Sequence, residues 1–127
     1  MKIQSEKRAK LMRDVLVPRT RFREKFPWCW CCGSPTSITI HEMLRGGSRG
    51  VALPERCCWF AACWLCNTGD LDDATLWPVK RQLAVKYVED PGGFDLQKFL
   101  SLKREAATSI TFADLKPWIR KERKARE

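Results

Sequence analysis

No stretch of this 127-residue chain is long and apolar enough to cross a membrane as a helix. The longest uncharged run, Phe26 to His41, has 16 residues and is broken by Pro27, Gly33 and Pro35. A span needs roughly 20 apolar residues. The opening Met1-Lys2-Ile3-Gln4-Ser5-Glu6-Lys7 has no hydrophobic signal core, so an intracellular protein with no membrane partner is expected. Histidine is nearly missing: His41 is the only one, so any imidazole chemistry rests on that residue. There is no internal repeat beyond two cysteine pairs. Apolar residues are 44% of the chain against 31% charged, which allows one modest core and suggests that it needs a staple. Cysteine, by contrast, is plentiful. Seven thiols in a reducing compartment favour metal binding over disulfides, and the odd number argues against a closed disulfide set.

The net charge of +9 is carried entirely by the two ends. Residues 1–25 hold nine Lys/Arg against three Asp/Glu, and residues 114–127 hold six against three. The body between them has nine of each sign and is neutral. Two basic arms on a neutral body suit a polyanion, most simply nucleic acid, with Arg19, Arg21, Arg23, Arg49, Lys121 and Arg123 as candidate phosphate contacts. Solubilising termini are the alternative.

Along the chain, Ile3 to Val17 reads as a basic amphipathic helix stopped by Pro18, with Arg19 to Lys25 as a connector. Thr36 to Ile40 is β-branched and alternating, a strand ending at His41. Arg45-Gly46-Gly47-Ser48-Arg49-Gly50 reads as a loop, and Cys57 to Ala62 as a return strand. A helix follows Pro78, bearing Val79, Leu83 and Tyr87, and Pro91-Gly92-Gly93 ends it. Asp95 can cap a short helix with Leu96, Phe99 and Leu100, and Thr111 with Asp114 can open a last basic one. The chain divides into an N-terminal arm (1–25), a core (26–73), a helical region (74–113) and a basic tail (114–127).

The strongest signal is the pair of C-x2-C motifs, Cys29/Cys32 followed by Gly33 and Cys63/Cys66 followed by Asn67. Two intervening residues let a tight turn aim both thiolates at one ion, and glycine lets the backbone fold over the sulfur. Together the pairs can make a four-sulfur zinc site that clamps the segment between them. Buried free thiols or a redox pair are the alternatives. Cys31 stands as a competing ligand, and Cys57 and Cys58 as core thiols. Trp28, Trp30, Trp59 and Trp64, all beside cysteines, are expected to wall the metal from water. Inside the clamp lie His41, Glu42 and Arg45. Just after it, Asn67 and Asp70 are three residues apart, a spacing of oxygen ligands that suits a hard ion such as Mg²⁺. A base, such ligands and an arginine are the ingredients of metal-assisted phosphodiester hydrolysis.

The order C-x2-C-G, strand, His41-Glu42, Gly-rich loop, C-x2-C-N resembles the HNH, or ββα-metal, endonuclease superfamily. It is most similar to the compact zinc-stabilised phage type, including the recombination endonuclease VII group. The resemblance covers roughly residues 28–73. It implies an α+β fold, a small zinc-clamped ββα-metal finger with flanking helices. It also implies a metal-dependent endonuclease acting on nucleic acid, DNA before RNA and branched DNA included. Cys29, Cys32, Cys63 and Cys66 match the structural Zn²⁺ ligands, and Asn67 matches a ligand of the catalytic Mg²⁺, with Asp70 on the same helix. A phage-encoded protein acting in a host cytoplasm follows from the same resemblance; self-association, a homodimer included, is left open.

Two departures stand out. The family places a metal ligand directly before the histidine base, whereas this chain has His41-Glu42. Either His41 is the base and Glu42 supports the metal, or His41 is the ligand and Glu42 the base. The neutral-range pKa of imidazole favours His41. The central asparagine that orients the histidine is replaced by the Arg56-Cys57-Cys58 stretch. A catalytically silent zinc-stabilised DNA- or RNA-binding module is the rival expectation, and a thiol regulator using Cys31, Cys57 and Cys58 a third.

Overall fold

The structure is a computed structural model that describes residues 2–44, 49–102 and 109–127. A long helix, α1 (Lys2–Lys25), leads through Phe26 and the first cysteine pair into strand β1 (Ile38–Glu42). A single helical turn, α2 (Arg49–Ala52), and a 3-10 turn (Arg56–Cys58) precede β2 (Trp59–Cys63). The second cysteine pair opens α3 (Trp64–Thr68), a 3-10 turn follows at Asp70–Asp72, and the chain closes with α4 (Val79–Glu89), α5 (Leu96–Leu102) and α6 (Phe112–Ala125). The fold is thus α+β, with one antiparallel pair of strands in which Ile38 lies opposite Cys63 and His41 opposite Phe60.

Pro18 does not stop the first helix. It lacks the N–H that would bond the carbonyl of residue 14, yet the helix runs on to Lys25. Buried side chains on both sides of it, Val15 before and Phe22 and Phe26 after, hold the two halves against the rest of the chain. Packing outweighs one lost bond. Basic Arg23 and Lys25 in the last turn also suit the negative end of the helix dipole.

The core is a single cluster to which each of the four segments read from the sequence contributes. Phe22 of α1 and Phe26 just past it meet Trp30 edge to face, Phe22 also meets Trp59, and Trp30 continues the array through Phe60 to Trp77. Such tilted pairs suit the ring quadrupole. Cys57 and Cys58 are buried core thiols, as expected. The 114–127 segment is a packed helix. Leu115 and Ile119 of α6 are buried, and the helix lies against α4. Its start is fixed by a capping box: the Asp114 N–H donates to Thr111 Oγ1 at 3.2 Å, and the Thr111 N–H to Asp114 Oδ2 at 2.9 Å. Asp95 caps α5 by accepting from the Lys98 N–H.

Helix α4 buries Leu83 and Ala84, as its period predicts, with Val79, Tyr87 and Val88 partly buried, but it also buries Gln82, Val85 and Lys86 and, just past its end, Asp90. The Asp90 carboxylate receives Lys86 Nζ at 2.7 Å, Arg56 through two nitrogens at 3.1 and 2.6 Å, and the Gly93 N–H at 3.1 Å. A Cβ on Gly93 would collide with that carboxylate and with the Arg56 guanidinium, so the turn after α4 requires glycine.

Candidate metal centre

The sulfurs of Cys29, Cys32, Cys63 and Cys66 all lie within 4.8 Å of one another. That of Cys32 is 3.7 Å from that of Cys63. A tetrahedron with 2.3 Å metal–sulfur bonds has edges of about 3.8 Å, so these side chains could hold a metal such as zinc with little movement. Backbone geometry aims them. Gly33 sits at φ 78°, in the left-handed region, and its N–H bonds the Cys29 carbonyl at 2.8 Å. The Cys31 N–H turns inward onto the Cys29 sulfur at 3.3 Å. The Trp64 N–H bonds the Ser37 carbonyl at 3.1 Å, which ties the second pair to the start of β1.

The Cys29 thiol is held down to about 3, chiefly by a hydrogen bond from the Cys31 thiol, against burial and with help from backbone donors of Cys63, Cys32 and Cys31. That makes it a ready thiolate ligand. The same contact, with burial, pushes the Cys31 thiol up. Burial and the three neighbouring sulfurs push the Cys66 thiol up as well. Four sulfurs this close cannot all ionise without a cation among them, which is the setting a dication stabilises. Cys31 lies against the cluster without belonging to it.

The expected tryptophan wall is only half present. Trp30 and Trp59 are buried, but Trp28 and Trp64 are exposed. The inner two are pinned by ring contacts with Phe22.

His41 lies 6% exposed on the α3 and α4 side of β1, with its ring edge against Phe60. Its Nδ1 is 3.1 Å from Asn67 Oδ1, and its Nε2 is 3.0 Å from Gln82 Oε1. The orientations of both amides follow from their other partners. Thr39 Oγ1 donates to the Ala62 carbonyl at 3.0 Å, so it accepts from Asn67 Nδ2, also at 3.0 Å. Gln82 Nε2 donates to the Trp77 carbonyl at 3.0 Å. Each amide therefore turns its oxygen to the imidazole, so a ring N–H can donate to either one. The result is a hydrogen-bonded chain from one backbone carbonyl to another.

Asn67 thus orients His41, and its amide is committed to that residue and to Thr39. Glu42 points to the opposite strand face, as its neighbour in a pleated strand must. There it pairs with Arg19 at 3.0 Å. Arg19 also donates to the Leu53 carbonyl and lies over Trp59. Asp70 is exposed in the turn after α3. Among the described residues, the four cysteines are the only close group of three or more His, Cys, Asp or Glu side chains. Glu42 and Asp70 are not grouped with His41 there, so nothing among the described residues marks the expected Mg²⁺ site. Arg45 lies outside the described residues, as does the side chain of Arg49. Arg21, Arg23, Lys121 and Arg123 are exposed, Arg123 lying over the Tyr87 ring. Arg21 lines a groove with Lys25 and Arg56 between α1 and the 54–59 segment.

Gln82 is the site residue that sequence reasoning missed. It lies between Val79 and Leu83 on the buried stripe of α4, and a polar residue there needs a buried partner. No helix of the described residues is long and apolar enough to cross a membrane. Comparison with protein-family models, with curated proteins and with solved structures finds no match to this chain.

Proposed function

We propose that this chain is a nucleic-acid-binding protein built around a zinc-stabilised finger, with DNA as the first partner to test. One observation carries the reading: the two basic ends, far apart in sequence, converge on the first cysteine pair. Helix α1 runs through Lys25 and Phe26 directly into Cys29. From the other end of the chain, just past α6, the Arg126 guanidinium donates to the Trp30 carbonyl, inside that pair. Arg126 is itself paired with Glu89 and Glu122, so the exposed positive charge beside the sulfur centre is that of Arg21, Arg23 and Lys25 at the end of α1. A labelled duplex and a labelled single strand, each titrated at rising salt, test this. Binding of either that weakens steeply and linearly on a log–log plot supports the reading, and no binding of either at low salt ends it.

Hydrolysis of phosphodiester bonds, as in HNH endonucleases, is a second reading with its own support. Strand β1 and α3 bring the single histidine to Asn67 beside the cysteine centre, in the order that the resemblance implies. For His41 to act as a base, one ring nitrogen must first part from its amide partner. Plasmid nicking assayed with Mg²⁺, Mn²⁺ and Ni²⁺ separates the readings. Nicking that His41→Ala lowers roughly 10²-fold supports an enzyme. Binding without nicking leaves the silent module.

A further inference from the structure

Three of the six tryptophans, Trp30, Trp59 and Trp77, are buried in the core, and Trp118 packs against it. Two are left outside: Trp64 is 60% exposed and Trp28 is 38% exposed. Both positions are one residue from a sulfur of the same centre, Trp28 before Cys29 and Trp64 after Cys63. Trp28 follows the end of α1 and leans edge-on against Phe26 at 6.1 Å, and the Trp64 N–H is bonded to the Ser37 carbonyl. An indole already held in place loses less freedom when something stacks on it.

The charge around this pair decides what that something is. Lys25 is exposed at the end of α1, its ammonium 5.4 Å from the Phe26 ring on which Trp28 rests. Arg126 reaches the Trp30 carbonyl from the other basic end, but its charge is paired with Glu89 and Glu122. The cation free to meet a phosphate beside Trp28 is therefore Lys25, on the α1 side. The acidic run Asp70, Asp72 and Asp73 follows the far end of α3. A phosphate fits the α1 side of the pair, away from that acidic run.

We infer that Trp28 and Trp64 form a stacking platform for unpaired nucleobases, so that the nucleic acid bound is single-stranded where it crosses the cysteine centre. This rests on the nucleic-acid-binding reading and adds the form of the ligand. In a duplex the base faces are already stacked on one another and offer nothing to an indole. In a single strand every base has a free face, and an aromatic side chain there contributes roughly 1–3 kcal/mol per base.

The test compares three labelled probes: a short oligothymidylate, an abasic oligomer with the same number of phosphates, and a blunt duplex. Wild-type protein should bind the oligothymidylate tightest. Trp64→Ala should weaken that binding about 10-fold or more and leave the abasic oligomer nearly unaffected. Trp64→Phe, which keeps a ring, should recover most of the loss. Because Trp64 is exposed, both variants should keep the wild-type metal content and melting temperature. Equal loss on all three probes, or no loss on any, overturns the platform. So does a Trp64→Ala variant whose only change is a smaller sedimenting species, which would make the indole a contact between copies of the chain. If wild-type protein binds none of the probes, the nucleic-acid reading falls as well. If it binds all three equally and Trp64→Ala changes nothing, only the platform falls.

Discussion

Lys86 Nζ lies 2.7 Å from Asp90 Oδ2, and neither side chain reaches solvent. Burial pushes the Asp90 carboxyl up, but hydrogen bonds from Arg56 and Lys86 outweigh it and hold the group below its usual range. The carboxylate is the hub of the cluster, since both cations and the Gly93 N–H converge on it. Removing the hub and removing one spoke should therefore differ greatly. Asp90→Ala strands a buried ammonium and should cost about 3–5 kcal/mol. Lys86→Met leaves Asp90 bound by two Arg56 nitrogens and supplies an apolar side chain of similar volume, so it should cost far less. Urea unfolding of the two variants measures the difference, and equal losses would show that the cluster has no hub.

The same pair sets a pH dependence. Burial pushes the Lys86 ammonium down to about 8 from its ordinary 10.5, although Asp90 pulls it back up. Between those values the unfolded chain holds the proton more firmly than the folded one. Folding stability therefore rises with pH across that window and is flat, as far as this group is concerned, below it. Measured as wild type minus Lys86→Met, which cancels the thiols, stability should rise by up to about 3 kcal/mol from pH 8 to 10.5. A flat difference would mean that Lys86 stays charged throughout.

The metal centre makes a sharper demand on neighbouring cysteines. Cys32 is the exposed member of the sulfur cluster, and Cys31 packs beside it without joining it. Exposure alone would rank Cys31 as the more important of the two, because it is the better buried. Ligation ranks them the other way. Cys32→Ser should lose most of the bound zinc and lower the melting temperature by several degrees, while Cys31→Ser should keep one zinc per chain. Elemental analysis of both variants checks this, and a chelator should bring wild type toward the melting temperature of Cys32→Ser.

What the sequence made legible was whatever depends on local spacing. The C-x2-C pairs, Gly33, the Thr111–Asp114 capping box and the period of α4 each state their own geometry within a few residues. Pro18 misled because its effect is local and small, whereas the anchoring of Phe22 and Phe26 that overrides it comes from Trp30 and Trp59, distant in sequence. The site suffered similarly. His41 and Asn67 were both marked, but as base and metal ligand; their bond to each other depends on the pairing of β1 with β2. Gln82, Lys86 and Asp90 recur every four residues beside the apolar stripe of α4, a pattern visible in the sequence that reads as solvated charge until their partners are known. Glu42 could not be assigned by motif at all, because the face it takes is set by strand register.

The basic residues are not equivalent, and this gives the last prediction. Arg19 was grouped with Arg21 and Arg23 by charge alone. In the fold it is half-buried, paired with Glu42 at 3.0 Å and bonded to the Leu53 carbonyl, whereas Arg21, Arg23 and Lys121 are exposed. Charge on exposed side chains is available to phosphates, and charge already neutralised by a buried carboxylate is not. Arg21→Ala, Arg23→Ala or Lys121→Ala should each reduce the slope of log affinity against log salt by about 0.9 for every phosphate no longer neutralised. Folding stability should change little, as is usual at exposed positions. Arg19→Ala should do the reverse. It removes an ion-pair partner from buried Glu42 and should cost stability, while the salt slope stays as in wild type. Deleting 114–127 outright cannot replace these substitutions, because Leu115 and Ile119 belong to the core. A salt slope unchanged by all three exposed variants would place the phosphate-binding surface away from both arms.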